Sequence, residues 1–245
     1  MNYLKIIILI SVLISIQFLH ASGIKAELIK VSGDVKVRFG LNEEWQKAES
    51  GQILDEFDSI LTGQDGRATL YVKNGVGFTI KNRTFLDIAD LRTIRKDELF
   101  LVMMSKKVEK LEPVNNKTIK IGNVSVIHGS EKQPAQGTDD AGVEDWSILE
   151  INGAKALYDY GYYTNAAVKL CKIRDKYSDD QDCGEADYWL GKSLEAVNYT
   201  GHAIDAYQKA LDEFKRSKCR GRTNVEWVND SKQRLTELKN KGKNK

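Results

Sequence analysis

Residues able to do covalent or metal chemistry are sparse in this chain. The 245 residues include three cysteines, Cys171, Cys183 and Cys219, and three histidines, His20, His128 and His202. No C-x-x-C pair is present, so the spacing matches no zinc pattern. There is no Ser/His/Asp order, no H-E-x-x-H, no phosphate-cradling glycine loop and no cysteine set beside a histidine. Asp58 and Asp65 could be read as paired carboxylates, but Ser59-Ile60-Leu61 between them reads as a largely apolar strand. Aspartates in such places usually cap turns. Arg67 reads as a turn-bracing or solvated residue before it reads as an anion ligand. Scattered carboxylates do not specify a glycosidase, whose two acids need a fixed separation. The expectation is a non-enzyme with no catalytic residue, metal ligand or cofactor site.

Composition narrows the class further. Lys and Arg number 37 against 35 Asp and Glu, a formal net charge of +2. Charged residues make up 29% of the chain and there are only two prolines, which excludes collagen and proline-rich disorder. Three cysteines are too few for a disulfide scaffold. Residues 1–22, MNYLKIIILISVLISIQFLHAS, place Lys5 before an apolar run and small residues after it. That is the pattern of a secretory signal, with Ala21 as the cleavage position, and the run is short for a bilayer span. The expected location is periplasmic or otherwise exported, with an uncleaved N-terminal anchor as the alternative. Export permits one disulfide and leaves one thiol over; small buried apolar residues are the plainer reading of the cysteines.

The elements that must position any site begin with strands. Leu28, Ile29 and Val31 precede a break at Ser32-Gly33, after which Val35, Val37 and Phe39 alternate with Asp34, Lys36 and Arg38. Short strands are expected at 59–61, 68–72, 76–80 and 85–88, with turn residues between them. Ala68, Leu70 and Val72 face one way, and Asn74-Gly75 signals a hairpin. Four further β-rich runs, 99–104, 108–111, 118–121 and 124–127, extend the β expectation to about residue 130. Together these predict an all-β sandwich or coiled sheet over 23–130.

The same stretch resembles a known family. Val31-Ser32-Gly33-Asp34-Val35-Lys36-Val37-Arg38 is followed by Trp45, Ala48, Gly51 and Leu54. Then come Asp58-Ser59-Ile60-Leu61-Thr62-Gly63, Asp65-Gly66-Arg67-Ala68-Thr69-Leu70, Asn74-Gly75 and Asn82-x-Thr84-x-Leu86. This order is similar to the FecR-type domain of periplasmic regions of anti-sigma regulators and of many exported bacterial proteins. Val126-Ile127-His128-Gly129-Ser130 stands where that family usually has a Val-Arg-Gly-Thr-like strand, with His for Arg.

Residues 131–144 are polar and aperiodic, and read as a flexible linker that leaves no fixed site between the halves. From residue 145 to 239 the period becomes helical. Ala166, Ala167, Leu170 and Ile173 form one apolar stripe, and Leu190, Leu194, Ala203, Tyr207, Ala210 and Leu211 continue the pattern. Two copies align when Ala166 matches Ala203, 37 residues on. Leu190-Gly191, Ala203, Tyr207 and Ala210 resemble the tetratricopeptide repeat, whose period is about 34. A last helix over 225–239, with Trp227, Val228, Leu235 and Leu238, is expected to cap the stack. Antiparallel packing of helices 183–197 and 201–216 favours a Cys183–Cys219 disulfide over Cys171–Cys183.

The tetratricopeptide resemblance implies peptide or protein binding along the first helix of each repeat. On this sequence the candidate partner-binding residues are Glu185, Tyr188, Lys192 and Glu195. From Lys215 to Lys245 the chain carries a net +8, ending in a basic tail over 240–245. Such a tail can meet an anionic envelope polymer or lipid surface; nucleic acid is not expected for an exported chain. The leading expectation is a non-catalytic envelope protein that binds or scaffolds an envelope protein or peptide. A FecR-type signalling or regulatory component is the alternative, ranked lower because only about five residues precede the apolar run. A cell-wall enzyme ranks third.

Overall fold

The structure is a computed structural model of the chain, and it describes residues 23–72, 76–109, 146–177, 184–216 and 225–243. Eight strands come first: β1 (Lys25–Ser32), β2 (Val35–Arg38), β3 (Gln46–Lys47), β4 (Ile53–Asp55), β5 (Ser59–Thr62), β6 (Arg67–Val72), β7 (Val76–Ile80) and β8 (Thr84–Asp87). They form two antiparallel four-stranded sheets, in the orders β4-β1-β6-β7 and β3-β2-β5-β8. Alternation along β6 sends Ala68, Leu70 and Val72 inward, where all are buried. The other sheet contributes Val35, Val37, Ile60 and Leu86 to the same core. β1 ends at the expected Ser32-Gly33 break, and a register shift between Leu28 and Lys30 leaves Ile29 half exposed. The pair Val72↔Val76 shows that β6 and β7 form the expected hairpin; Asn74-Gly75 itself lies outside the described residues.

Asp58 and Asp65 act as the turn reading expects. The buried Asp58 carboxylate accepts the backbone N–H of Gly40 and of Asp55, each at 2.8 Å. Asp65 accepts the N–H of Asp34 at 3.2 Å. These bonds satisfy backbone donors that no strand ladder reaches.

The β expectation fails at 99–104. After a 3₁₀ turn over Ile88–Leu91, helix α1 (Lys96–Glu109) occupies that stretch. A continuous apolar run has no period with which to separate strand from buried helix. Here the acidic Asp97 and Glu98 sit in the first turn, where the helix dipole favours them. Leu99 and Met103, four apart, join the core of the helical half. Of the run 108–111, Val108 belongs to this helix. Glu109 ends it, and residues 110 and 111, together with 118–121, 124–127 and the linker, lie outside the described residues.

Five more helices follow: α2 (Trp146–Asp159), α3 (Tyr163–Lys176), α4 (Glu185–Ala196), α5 (Thr200–Phe214) and α6 (Val225–Lys243). The first four make two helical hairpins that repeat each other atom for atom at their turns. Tyr162 N–H donates to Leu157 O at 2.9 Å, and Tyr199 N–H, 37 positions on, donates to Leu194 O at 2.8 Å. The left-handed residue of each turn recurs at the same offset, as Gly161 (φ 82°) and Asn198 (φ 67°). Gly191 lets α4 and α5 approach, because a Cβ there would stand 2.7 Å from the Tyr207 ring. Cys171 is buried on α3 within this core. Cys183 and Cys219 lie outside the described residues.

The two halves are not independent, contrary to the expectation from the linker. Leu157 of α2 and Ala166 of α3 belong to the β core. Gly153 of α2 rests on the backbone carbonyl of Phe85 in β8 so closely that a Cβ would overlap it. Asn165 Nδ2 donates to both Asp90 O and Arg92 O at 2.6 Å, and Asn152 Nδ2 to Arg83 O at 2.7 Å. One helical turn beyond Asn165, the Lys169 ammonium meets Asp90 Oδ2 at 2.5 Å and lies 5.2 Å from the centre of the Phe85 ring. The Lys169 side chain is 5% exposed. Burial pulls its pKa down, but Asp90, Asp87 and Glu150 outweigh this and hold it above the ordinary lysine value. Phe78 of β7 packs on Tyr160 and Tyr162 from the α2–α3 turn, with centroids at 4.6 and 6.1 Å. Connection length therefore says little here: the halves are fixed by buried contacts, not by the chain between them.

Candidate partner-binding face

The hairpin repeat sets α2, α4 and α6 side by side, and aromatic residues run across the helices. Tyr163 packs edge-on to Tyr158 (5.0 Å), Tyr158 to Trp189 (5.5 Å) and Trp189 to Tyr188 (5.4 Å). The row continues from Tyr188 to Trp227 (5.6 Å) and from Trp227 to Phe214 (5.8 Å). All but the tilted Tyr188–Trp227 pair are edge-to-face, and such aromatic pairs contribute about 0.5–1.5 kcal/mol each beyond the area they bury. Buried Tyr188 and Trp227 anchor the row inside the core, whereas Tyr158, Trp189 and Tyr163 keep part of their surface open.

Lys192 lies over the middle of this row. Its ammonium stands 5.1 Å from the Trp189 centroid, 5.4 Å from Tyr158 and 5.6 Å from Tyr188. The negative ring faces attract the cation and hold it in place. On one side Lys155 pairs with Glu185 at 2.5 Å and also approaches the Trp189 ring, at 5.8 Å. On the other, Glu195 accepts the Tyr207 hydroxyl at 3.0 Å and faces Arg234 at 3.5 Å. The Tyr188 hydroxyl donates to Asp230 at 2.8 Å.

The four residues chosen from the sequence thus fall on one stripe of α4, as the spacing 185, 188, 192, 195 requires. They are not equivalent. Tyr188 is 6% exposed, and its ring and hydroxyl bind α4 to α6. Glu195 likewise braces α5 and α6. Lys192 and Glu185 remain at the surface of the stripe. The sequence reading missed Trp189, Tyr158 and Tyr163. The signal was present in the aromatics grouped around Gly161 and beside Tyr188, but each taken alone reads as core. Arg234 was counted with the basic C-terminal charge; in the structure it joins Glu195, Asp230 and Glu237.

Burial, followed by a neighbouring carboxylate, raises the pKa of three tyrosines. Glu195 stands beside Tyr207, Asp230 beside Tyr188 and Glu150 beside Tyr177. An acid with a raised folded pKa gives stability that is present below its unfolded pKa, about 10 for tyrosine, and lost as pH rises through the folded value. Lys169, also raised, acts in the same direction. The protein is expected to unfold cooperatively above about pH 10. The share of tyrosinate absorbance that belongs to Tyr177, Tyr188 and Tyr207, three of the ten tyrosines, should appear only together with the loss of helical circular dichroism. Titration of all ten tyrosines within a still-folded chain would contradict this.

Among the described residues no group of three His, Cys, Asp or Glu side chains is arranged to hold a metal ion, and no helix is long and apolar enough to cross a membrane. Comparison of the chain with protein-family models, with curated proteins and with solved structures gives no match.

Proposed function

We propose that this chain is an exported, non-catalytic protein that holds another envelope protein or peptide against the face built by α2, α4 and α6. The observation that carries the reading is the aromatic row with Lys192 over its centre. Tyr and Trp offer large, stiff contact area at low entropic cost, which is why they dominate binding hot spots. The Lys192 charge is met by rings and, among the described residues, by no carboxylate. A partner that brings an acidic group together with an apolar side chain fits that surface. The FecR-like motifs and the 37-residue hairpin repeat support a FecR-like β domain joined to a tetratricopeptide-like module, both structural rather than catalytic. The leader-like residues 1–22 support export.

The test is affinity capture from envelope extract with the mature chain, comparing wild type with Lys192→Glu and Tyr163→Ser. Lys192 is half-buried over three rings and Tyr163 packs edge-on to Tyr158, so each variant is expected to lose about 1–2 kcal/mol of stability and to remain folded at the temperature of capture, which thermal unfolding checks. The reading expects one partner to be lost from both variants, by about tenfold or more for the charge reversal. Equal recovery of every captured protein by wild type and variants would reject it.

A further inference from the structure

Of the four outer strands in the two sheets, three are blunted. β3 has two residues and β4 three, while β8 lies under α2, with Gly153 on the Phe85 carbonyl. β7 differs. It runs five residues, Val76–Ile80, and pairs with β6 on one side only. No register shift bends it, and it carries no lysine or proline, the devices that usually keep an outer strand from pairing further. Among the described residues no backbone hydrogen bond reaches its outer edge. α2 lies along β8 and makes only slight contact with β7. A space of about 570 Å³ opens beside the strand, between Thr79 and the end of α2 at Ala156, Asp159 and Tyr160. Side chains around it are engaged already: Thr79 Oγ1 lies 3.2 Å from Thr69 Oγ1, Asn152 donates to Arg83 O, and Lys155 pairs with Glu185. What stays unpaired there is main chain, and the match for an extended main chain is another one.

Gly77 gives this edge a preference. Its backbone is not in the left-handed region, so conformation does not demand glycine there. Glycine weakens a strand and often marks a place where another backbone or a ligand comes close. Gly77 is exposed, and a Cβ on it would meet no heavy atom within 4 Å. Register sets it opposite Tyr71 on the solvent face of the sheet, where Tyr71 is 43% exposed. A large side chain on an incoming strand, placed beside Gly77, can lie across the glycine onto the Tyr71 ring.

We infer that β7 accepts an extended segment of a partner polypeptide as a fifth strand of its sheet, with an aromatic side chain of that segment set beside Gly77. The backbone ladder supplies the attachment, and the vacant place at Gly77 supplies the choice of register and sequence. A second copy of this chain fits less well. Its own β7 turns Phe78 and Ile80 into the core and presents only Gly77 and Thr79 on the solvent face, and neither fills that place. The edge shares no residue with the aromatic row, and the inference does not depend on that face binding protein.

Calorimetric titration of the full mature chain tests it with a capped heptapeptide of alternating Thr and Val that has Tyr at its centre. Saturable binding at one site per chain is expected, with slowed amide exchange in β7. The N-methylated peptide keeps the side chains but has no N–H to donate, and should bind at least about tenfold more weakly. Replacing the central Tyr by Ala should cost about fivefold, as should Tyr71→Ala in the protein, and the two losses together should not add, because each removes the same contact. Gly77→Lys fills the vacant place and should weaken binding about tenfold. Its thermal stability should equal or exceed that of the wild type, since the new side chain meets nothing, which separates lost binding from lost fold. No binding of the heptapeptide, equal binding of its N-methylated form, or undiminished affinity in Gly77→Lys would each overturn the inference. So would a dimer in sedimentation equilibrium that Gly77→Lys dissociates, which would give the edge to a second copy.

Discussion

Lys169→Met is expected to cost about 3–5 kcal/mol of folding stability, the usual penalty for removing one member of a buried ion pair. The ammonium is the countercharge for Asp90, stands 3.8 Å from Asp87 and lies over Phe85. Without it the Asp90 carboxylate stays in a site from which water is largely excluded, between the 3₁₀ turn and α3. Most of the loss reflects that stranded charge and not the net value of the pair. The double change Lys169→Met with Asp90→Leu should therefore recover most of it. Urea unfolding of the wild type and the two variants measures both effects. A single variant within about 1 kcal/mol of wild type would show that the ion pair does not hold the halves together.

Gly153→Ala carries the second large effect, and its sign is the informative part. In a solvent-exposed helix this change stabilises by about 1 kcal/mol, because alanine loses less backbone freedom. Here the added methyl would meet the Phe85 carbonyl, and behind it Lys169 Cε at 3.2 Å. A flexible side chain could swing away, but a strand backbone paired into a sheet cannot. Net destabilisation toward the upper end of about 1–3 kcal/mol is expected, with larger side chains prising α2 off β8. A measured gain in stability would mean that α2 and β8 stand farther apart in solution than this packing requires.

Much of the architecture was legible where one residue's neighbours in sequence are also its neighbours in space. Strand β6 declares itself because Ala68, Leu70 and Val72 alternate with polar residues and the next strand is one turn away. The helical repeat declares itself because a hairpin buries residues three and four apart, and because its turns recur at one spacing. The failure at 99–104 has the opposite origin. Leu99 to Met104 is apolar on nearly every side, so the choice of helix depends on what it packs against, which is α3, more than fifty residues on. The joint was invisible for the same reason. Asn165 and Lys169 read as a polar helix face, and their partners Asp90 and Arg92 lie more than seventy positions away. Gly153 reads as a weak point in a helix until Phe85 is placed beside it.

The candidate face was half legible. The tetratricopeptide resemblance singled out Glu185, Tyr188, Lys192 and Glu195, and helical spacing puts them on one stripe. It did not reveal that Tyr188 and Glu195 serve α6 and α5, or that Trp189 is the ring nearest the Lys192 charge. Those facts belong to the packing of alternate helices, which no local pattern encodes. A polar stripe on one helix becomes a candidate binding surface only when its neighbours supply the apolar part.

Site-specific photo-crosslinking in living cells tests the account most directly. A photoreactive side chain would replace Tyr163, 37% exposed at the open end of the aromatic row, and in a second variant Leu41, 97% exposed on a turn of the β half. The account predicts that position 163 captures one envelope protein, that Lys192→Glu abolishes the capture, and that position 41 does not capture it. The same protein captured equally from both positions, or no capture from 163 while the chain is exported and folded, would contradict it.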